Sequence, residues 1–421
     1  MKSIKFYIVA LLLLTFSTIS EAQTIHPSYE VATWKGFTNA AITYTFDDNC
    51  KNQYDVAIPL FNEYDFEGTF YPVINWSPNW TIFQDAVNQG HEIGSHTVTH
   101  TKLSDLSVAE QENELKNSKS QIETKLSGQK CNTIAYPFCV ASNAAATTNY
   151  FIAARHCQGQ IEKTTPPDFL NISSIICGDQ GSVKTAADFK SRFTGAGNTN
   201  GWCVFLIHGI DNDGGYSSLD SKVLRESLDF LDQNREQYWV STFVNVVRYI
   251  RERNGAKVTQ TDSTNYSYQL KVTDELDNEI YNQPLTIRRQ LPAQWSSNVV
   301  VSQNGVEAES KVIEMNSVKY VEFDAIPDAG NIEIMNPDAK VSVKKLKEQS
   351  SIQIKPNPFN TDFTIHSDKL FSYYIHSLSG QLVEKGDGNL QQRVGQQLAS
   401  GAYLLKVMEG EYSFETKIIK N

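Results

Sequence analysis

Two adjacent carboxylates, two histidines close in sequence and a third histidine farther along stand out for their chemistry. Asp47-Asp48 ends a run of β-branched and aromatic residues, Ala40–Phe46. In an extended chain neighbouring side chains point to opposite sides, so two adjacent carboxylates can do different jobs. His96-Thr97-Val98-Thr99-His100 can turn both imidazoles one way across a helical turn or a tight loop. Two imidazoles and a carboxylate give three ligands and leave a fourth position open, the layout of a catalytic metal site. His208 follows the most apolar of the expected strands, Trp202–Ile207. Alone, an H-x-x-x-H is common on helix surfaces and a DD pair is usually a turn. The combination and its order carry the information.

These residues need elements to position them. Ala40–Phe46, Gly68–Val73, Glu92–Gly94, Thr133–Pro137, Phe151–Ala154, Trp202–His208 and Val240–Phe243 read as strands. Tyr54–Phe61, Phe83–Gln89, Val108–Leu126, Lys222–Gln233 and Val244–Arg253 have helical spacing. Ser107 with Glu110 forms a capping box, and Gly90 suits a helix C-terminus. Strands alternating with helices over residues 39–250 predict an α/β domain with a mostly parallel sheet, open or barrel-like. In such folds, sites form at the C-terminal ends of the strands, where Asp47-Asp48 and His208 fall. After Asn254 the chain turns rich in Val, Thr, Ser and Asn. Tyr266–Val272, Val318–Phe323 and Asn331–Met335 predict a small all-β module. Lys344–Ser351 reads as a linker. Phe363–Ile365, Tyr373–Ile375, Gln381–Glu384 and Ala402–Met408 predict a second all-β module.

The 421 residues and net charge of −11 suit two or three domains and argue against a nucleic-acid partner, which needs a basic face. Met1–Lys5 carries two lysines, Phe6–Phe16 is almost wholly apolar, and Ser20-Glu21-Ala22 has small residues at the cleavage positions. This predicts a secretory signal peptide cut after Ala22. The apolar run is too short for a bilayer, which needs about 20 residues, so no stable membrane span is expected. The six cysteines, Cys50, Cys131, Cys139, Cys157, Cys177 and Cys203, suggest disulfides in an oxidising compartment, and the sequence does not choose among the pairings. Bridges at Cys50 and Cys139 could brace the loops after Asp48 and Pro137; simple packing explains both cysteines equally well.

The motifs resemble those of the NodB-type polysaccharide deacetylases of carbohydrate esterase family 4. Thr45-Phe46-Asp47-Asp48 resembles the first motif, His96-x-x-x-His100 the second, Ala135-Tyr136-Pro137-Phe138 a variant of the third, and Leu206-Ile207-His208 the fifth. The resemblance implies a distorted (β/α) barrel over residues 23–256, followed by β modules at 257–345 and 346–421. It also implies roles. Asp47 would be the general base. Asp48, His96 and His100 would hold a divalent metal, zinc being the expected ion. The backbone near Phe138 would stabilise the oxyanion, and His208 would be the general acid. The substrate would be an acetylated polysaccharide, with N-acetyl and O-acetyl groups both open. The alternative is a non-catalytic carbohydrate-binding or adhesin protein that kept the fold.

The chain departs from the pattern. Ala135 stands where the family usually has an arginine that orients the base, and Arg155 is expected to substitute by pairing with Asp47. No confident counterpart exists for the aspartate that supports the catalytic histidine, with Asp168 and Asp179 the weak candidates. Among nearby aromatics, Trp76 and Trp80 lie in one loop, and Trp80 with Tyr136 is assigned to the substrate side. Lys355-Pro356-Asn357-Pro358-Phe359, Ser379-Gly380-Gln381 and Ser400-Gly401-Ala402-Tyr403 resemble a type A sorting domain of the type IX secretion system. That resemblance implies the type IX machinery as a partner and export to the cell surface or medium.

Overall fold

The computed structural model describes residues 24–338 and 352–421, apart from 27, 379 and 411. The expected signal peptide, the linker and Ser379 lie outside the described residues. The chain divides between Ala339 and Lys340 into two compact units.

The first unit opens with two short strands, β1 (Thr24–Ile25) and β2 (Tyr29–Val31). Its central strand is β3 (Ala40–Asp47), buried along its whole length. A strand covered on both faces reads as a continuous apolar run, as Ala40–Phe46 does. Then follow β4 (Thr69–Tyr71), β5 (Glu92–Ile93), β6 (Thr133–Ala135), β7 (Ala153–Arg155), β8 (Ile175–Ile176), β9 (Trp202–Ile207) and β10 (Tyr238–Val240). The helices between and after them are α1 (Ile58–Glu63), α2 (Trp80–Asn88), α3 (Val108–Lys125), α4 (Ala144–Thr148), α5 (Ala186–Thr199), α6 (Ser221–Asp232) and α7 (Phe243–Gly255).

Pairing runs β3–β4–β5 on one side of β3 and β3–β9–β8 on the other. A bridge from Ser95 to Ile134 carries β5 onto β6, which pairs with β7, and a bridge from Arg155 to Ile172 leads on toward β8. Every one of these pairings is parallel, and the two bridges carry the strands round from β5 to the segment before β8, the outline of a distorted α/β barrel. The C-terminal ends of the strands share one rim, where sites on such barrels are built. Stacked and edge-on aromatics fill the wall: Phe46 lies 4.8 Å from Phe70, and Tyr44 contacts Phe61 and Phe205. Each buried aromatic of this kind contributes about 1.5–3 kcal/mol, which fixes the end of β3 that carries the carboxylates.

Some elements differ from expectation. The strand expected at Val240–Phe243 is Tyr238–Val240, because Thr242 accepts from the Asn245 N–H and caps α7, which begins at Phe243. Helix α5 was not foreseen; Gly195 and Gly197 within it lower its helical propensity. Thr185 and Asp188 cap it reciprocally, and burial of Phe189 and Phe193 outweighs the glycine cost, about 1 kcal/mol per residue.

The β module has two sheets. One is ordered β1, β11 (Lys257–Ser263), β12 (Ser267–Thr273), β18 (Ile332–Met335), β14 (Val300–Gln303), β15 (Val306–Glu307). The other is β16 (Ser310–Met315), β17 (Val318–Ala325), β13 (Leu285–Gln290), β2. Residues 24–31 thus pair with this module, although the sequence suggested a barrel starting at residue 23. Helix α7 ties barrel and module together. Its Glu252 carboxylate accepts the Gln283 N–H at 2.9 Å, and Tyr249 donates to the Ala32 carbonyl at 3.0 Å.

In the second unit, the pieces expected at Phe363–Ile365 and Tyr373–Ile375 are the two ends of one strand, Phe363–Ser377. It pairs with Gln353–Lys355, Leu382–Val394 and Gly401–Glu409, and the last of these pairs with Tyr412–Lys420. Among the described residues no helix is long and apolar enough to cross a membrane.

Candidate active site

The rim gathers the residues singled out by type. Asp47 is the last residue of β3 and 2% exposed. Asp48 follows in a left-handed conformation (φ 74°), which turns its carboxylate away from the strand. Asn49 secures that turn: its Oδ1 accepts from Val73 N at 3.0 Å and its Nδ2 donates to the Trp76 carbonyl at 3.2 Å. His96 lies just past β5. Gly94 allows the close approach there, since a Cβ would stand 2.3 Å from the Tyr71 ring. Thr97 and His100 adopt positive φ of 67° and 60°. Glu114 of α3 braces this loop by accepting from Val98 N at 2.8 Å, Thr99 N at 3.0 Å and the Thr99 hydroxyl at 2.9 Å.

The Nδ1 of His96 lies 2.8 Å from the Ala135 carbonyl. A carbonyl only accepts, so Nδ1 carries the proton and Nε2 keeps its lone pair, as metal-binding histidines require. His96 Nε2 and His100 Nε2 are each 3.5 Å from Asp48 Oδ1. One donor atom from each of the three residues lies within 4.8 Å of the others. Asp48 Oδ1 is buried without a hydrogen-bond partner. An orphaned carboxylate oxygen facing two imidazole nitrogens fits a divalent cation.

Asp47 faces a different partner. Arg155, at the end of β7, directs Nη2 onto Asp47 Oδ2, while its Nη1 donates to Ser174 Oγ at 3.0 Å. The guanidinium is fully enclosed, 5.6 Å from the centre of the Tyr71 ring. Gln53 Nε2 ties the Asp47 carbonyl to the His208 carbonyl, coupling the ends of β3 and β9. Burial pushes the Asp47 carboxyl upward, but Arg155, His96 and His208 outweigh it and hold the group below the usual range. Burial and the neighbouring Asp47 charge push Asp48 up to about 7; a bound cation would favour its ionised form. Burial lowers His96 to about 4 and also lowers His100 and His208, which keeps the imidazoles neutral.

His208 Nε2 lies 3.9 Å from Asp48 Oδ2, on the same rim. Its Nδ1 is buried without a partner among the described residues. Asp168 accepts from Leu170 N within its own turn, and no hydrogen bond joins it or Asp179 to His208. Phe138 sits at φ 55°, 62% exposed, with its ring 4.7 Å from that of His100. A disulfide joins Cys139 to Cys157, linking the Phe138 turn to the segment just after Arg155; Cys50, Cys131, Cys177 and Cys203 are free thiols.

Two expected substrate contacts lie elsewhere. Trp80 starts α2 and packs edge-on to Phe83 at 6.4 Å, because helical spacing turns it toward the core. The aromatic at the site is Trp76 from the same loop, half exposed, 4.9 Å from the His100 ring. Tyr136 is buried at 2% exposure and turns from the rim toward Ser142 and Thr147. Tyr216 stands edge-on to His208 at 5.1 Å and is exposed. Sequence reasoning did not single out Gln53, Glu114 or Ser174, polar residues on helices or loops with no motif to mark them.

Comparisons with known proteins find likeness in parts of the chain. Residues 35–150 match the family described as polysaccharide deacetylase, and residues 353–421 match the secretion system C-terminal sorting domain. A protein from Bacillus sp. named gellan lyase is 27% identical over 335 residues, 75% of this chain. The chain spans 13% of that relative's length. Among solved structures, the carbohydrate esterase domain of a multidomain xylanase from the hindgut metagenome of Trinervitermes trinervoides is 18% identical, with a TM-score of 0.36, over 49% of this chain and 89% of that one. A peptidoglycan deacetylase from Bacillus subtilis is 19% identical, with a TM-score of 0.34, over 51% of this chain and 93% of that one.

Proposed function

Since the chain carries a polysaccharide deacetylase domain and a C-terminal sorting domain for export, we propose that it is an exported, metal-dependent hydrolase removing acetyl groups from an extracellular polysaccharide. The observation that carries this reading is the division of labour between the adjacent carboxylates. Asp48 lies 3.5 Å from two imidazoles, while Asp47, 3.6 Å from one of them, is held by a buried guanidinium. A protein that only bound sugar would have no need to separate them.

In this reading Asp48, His96 and His100 hold the cation, with zinc the expected ion. When bound, it supplies a Lewis acid for the acetyl carbonyl and makes water more acidic. Asp47 takes the proton from the attacking water, and Arg155 keeps it ionised and aimed. The backbone N–H near Phe138 donates to the developing oxyanion, where one such bond is worth about 2.7–4 kcal/mol. His208, once protonated at the expense of the proton that Asp47 took from the attacking water, gives it to the leaving oxygen or nitrogen. Trp76, Phe138 and Tyr216 offer exposed rings beside these groups, suited to stacking on a pyranose. Export begins with the amino-terminal signal peptide and continues through the type IX machinery.

The unsupported Nδ1 of His208 favours one competing reading, binding without turnover. Acetate release from acetylated xylan, chitooligosaccharides and peptidoglycan, with zinc and with chelator, decides between them. Release that needs the metal supports the hydrolase, and tight binding without release supports the binding protein.

A further inference from the structure

A second concave site lies in the β module, at the end of β2. The cleft holds about 440 Å3 between Ser28–Glu30, Tyr268, Arg288–Pro292 and Tyr320. Along β13, alternate residues share a face. Ile287 belongs to the core between the two sheets, so Arg289 points the same way and is only 7% exposed. Its guanidinium lies 3.3 Å from the centre of the Tyr268 ring and 5.2 Å from that of Tyr29. Trp295 stacks on Tyr268 at 5.0 Å, which makes that wall rigid.

Arg289 is incompletely satisfied. Nη1 donates to the Gln290 carbonyl at 2.6 Å and Nη2 to Gln260 Oε1 at 3.3 Å, but Nε is buried without a partner. No ion pair reaches Arg289 among the described residues. Its neighbour Arg288, by contrast, is neutralised by Glu322 at 2.6 Å and Glu30 at 3.4 Å. Placing an uncompensated cation between two sheets is costly, and apolar residues occupy the equivalent inward positions elsewhere on β13. A guanidinium forks onto carboxylate or sulfate oxygens, and tyrosine rims suit a sugar ring.

We propose that this cleft binds an anionic sugar unit of a polysaccharide, with the acid group on Arg289 and the ring against the tyrosines. The site is separate from the Asp47 rim and would hold the polymer while the barrel acts on it.

The test is calorimetric titration of the full chain with trigalacturonate, a sulfated galactan trisaccharide and neutral cellotriose. At least one acidic sugar is expected to bind ten times or more tightly than cellotriose, with affinity falling as salt rises. Arg289→Met should weaken that binding at least tenfold. Tyr320→Ala, a change at a half-buried rim position, should weaken it severalfold and serves if the arginine variant does not fold. His96→Ala should leave it unchanged. The proposal falls if neither acidic sugar binds, if cellotriose binds equally well, if both cleft variants bind like the wild type, or if His96→Ala abolishes binding.

Discussion

The sharpest stability prediction concerns His91, at the entry to the strand that leads to His96. Its ring is 3% exposed and packs edge-on to Phe70 at 5.7 Å. Nδ1 accepts the Gly68 N–H at 2.9 Å, so the single ring proton sits on Nε2 and is donated to Asn62 Oδ1 at 3.1 Å. A second proton would set one N–H against another. Burial lowers this histidine from its ordinary 6.5 to about 4. The sign follows from linkage. The unfolded chain takes up the proton first as the pH falls, so the stability is present above pH 6.5 and is lost between 6.5 and 4. The loss between pH 7 and pH 5 is about 2 kcal/mol, and below pH 4 it reaches about 3.4 kcal/mol. Urea unfolding followed by tryptophan fluorescence at pH 7 and pH 5 measures it. His91→Gln keeps an amide acceptor and donor but does not titrate. The gap between wild type and variant should shrink by about 2 kcal/mol on acidification. If the two proteins lose stability in parallel, the tautomer and burial argument is wrong.

Other predictions follow from single contacts. Arg155→Met strands a buried carboxylate, which should cost about 3–5 kcal/mol of stability and lower kcat by about a hundredfold or more; Arg155→Lys should recover part of both, read by urea titration and acetate release. Cys157→Ser opens a bridge between residues 18 apart and should lower unfolding stability by about 3 kcal/mol, seen as a lower urea midpoint that reductant does not change further. Glu114→Gln loosens the loop between His96 and His100 and should weaken zinc binding about tenfold or more; unchanged affinity by competition with a chelating dye would show that Glu114 does not position the ligands.

The residues proposed to carry the chemistry were legible because their types are rare and their spacing is local. Asp47-Asp48 and His96-x-x-x-His100 each lie within one turn of chain. The Arg155 contact with Asp47 spans 108 residues, and it was legible only because Ala135 left the base without its usual partner. Trp80 was singled out over Trp76 because a loop with two tryptophans does not show which of them the next helix will turn toward the core. Helix α5 was hidden by its glycines, whose cost is outweighed by packing that local pattern does not display. The pairing of β1 and β2 with a module more than 200 residues away has no local signal either. Glu114 and Ser174 act through backbone and side-chain hydrogen bonds that any polar residue could supply from a suitable position, so nothing in their neighbours marks them.

The most direct test of the central claim is acetate release from an acetylated polysaccharide by the full chain, wild type beside Asp47→Asn and Asp48→Asn. Chelator should abolish release and zinc should restore it. Asp47→Asn should bind zinc but release no acetate, and Asp48→Asn should lose zinc binding and release together. Release that persists in chelator, or an Asp47→Asn protein as active as the wild type, would contradict the claim.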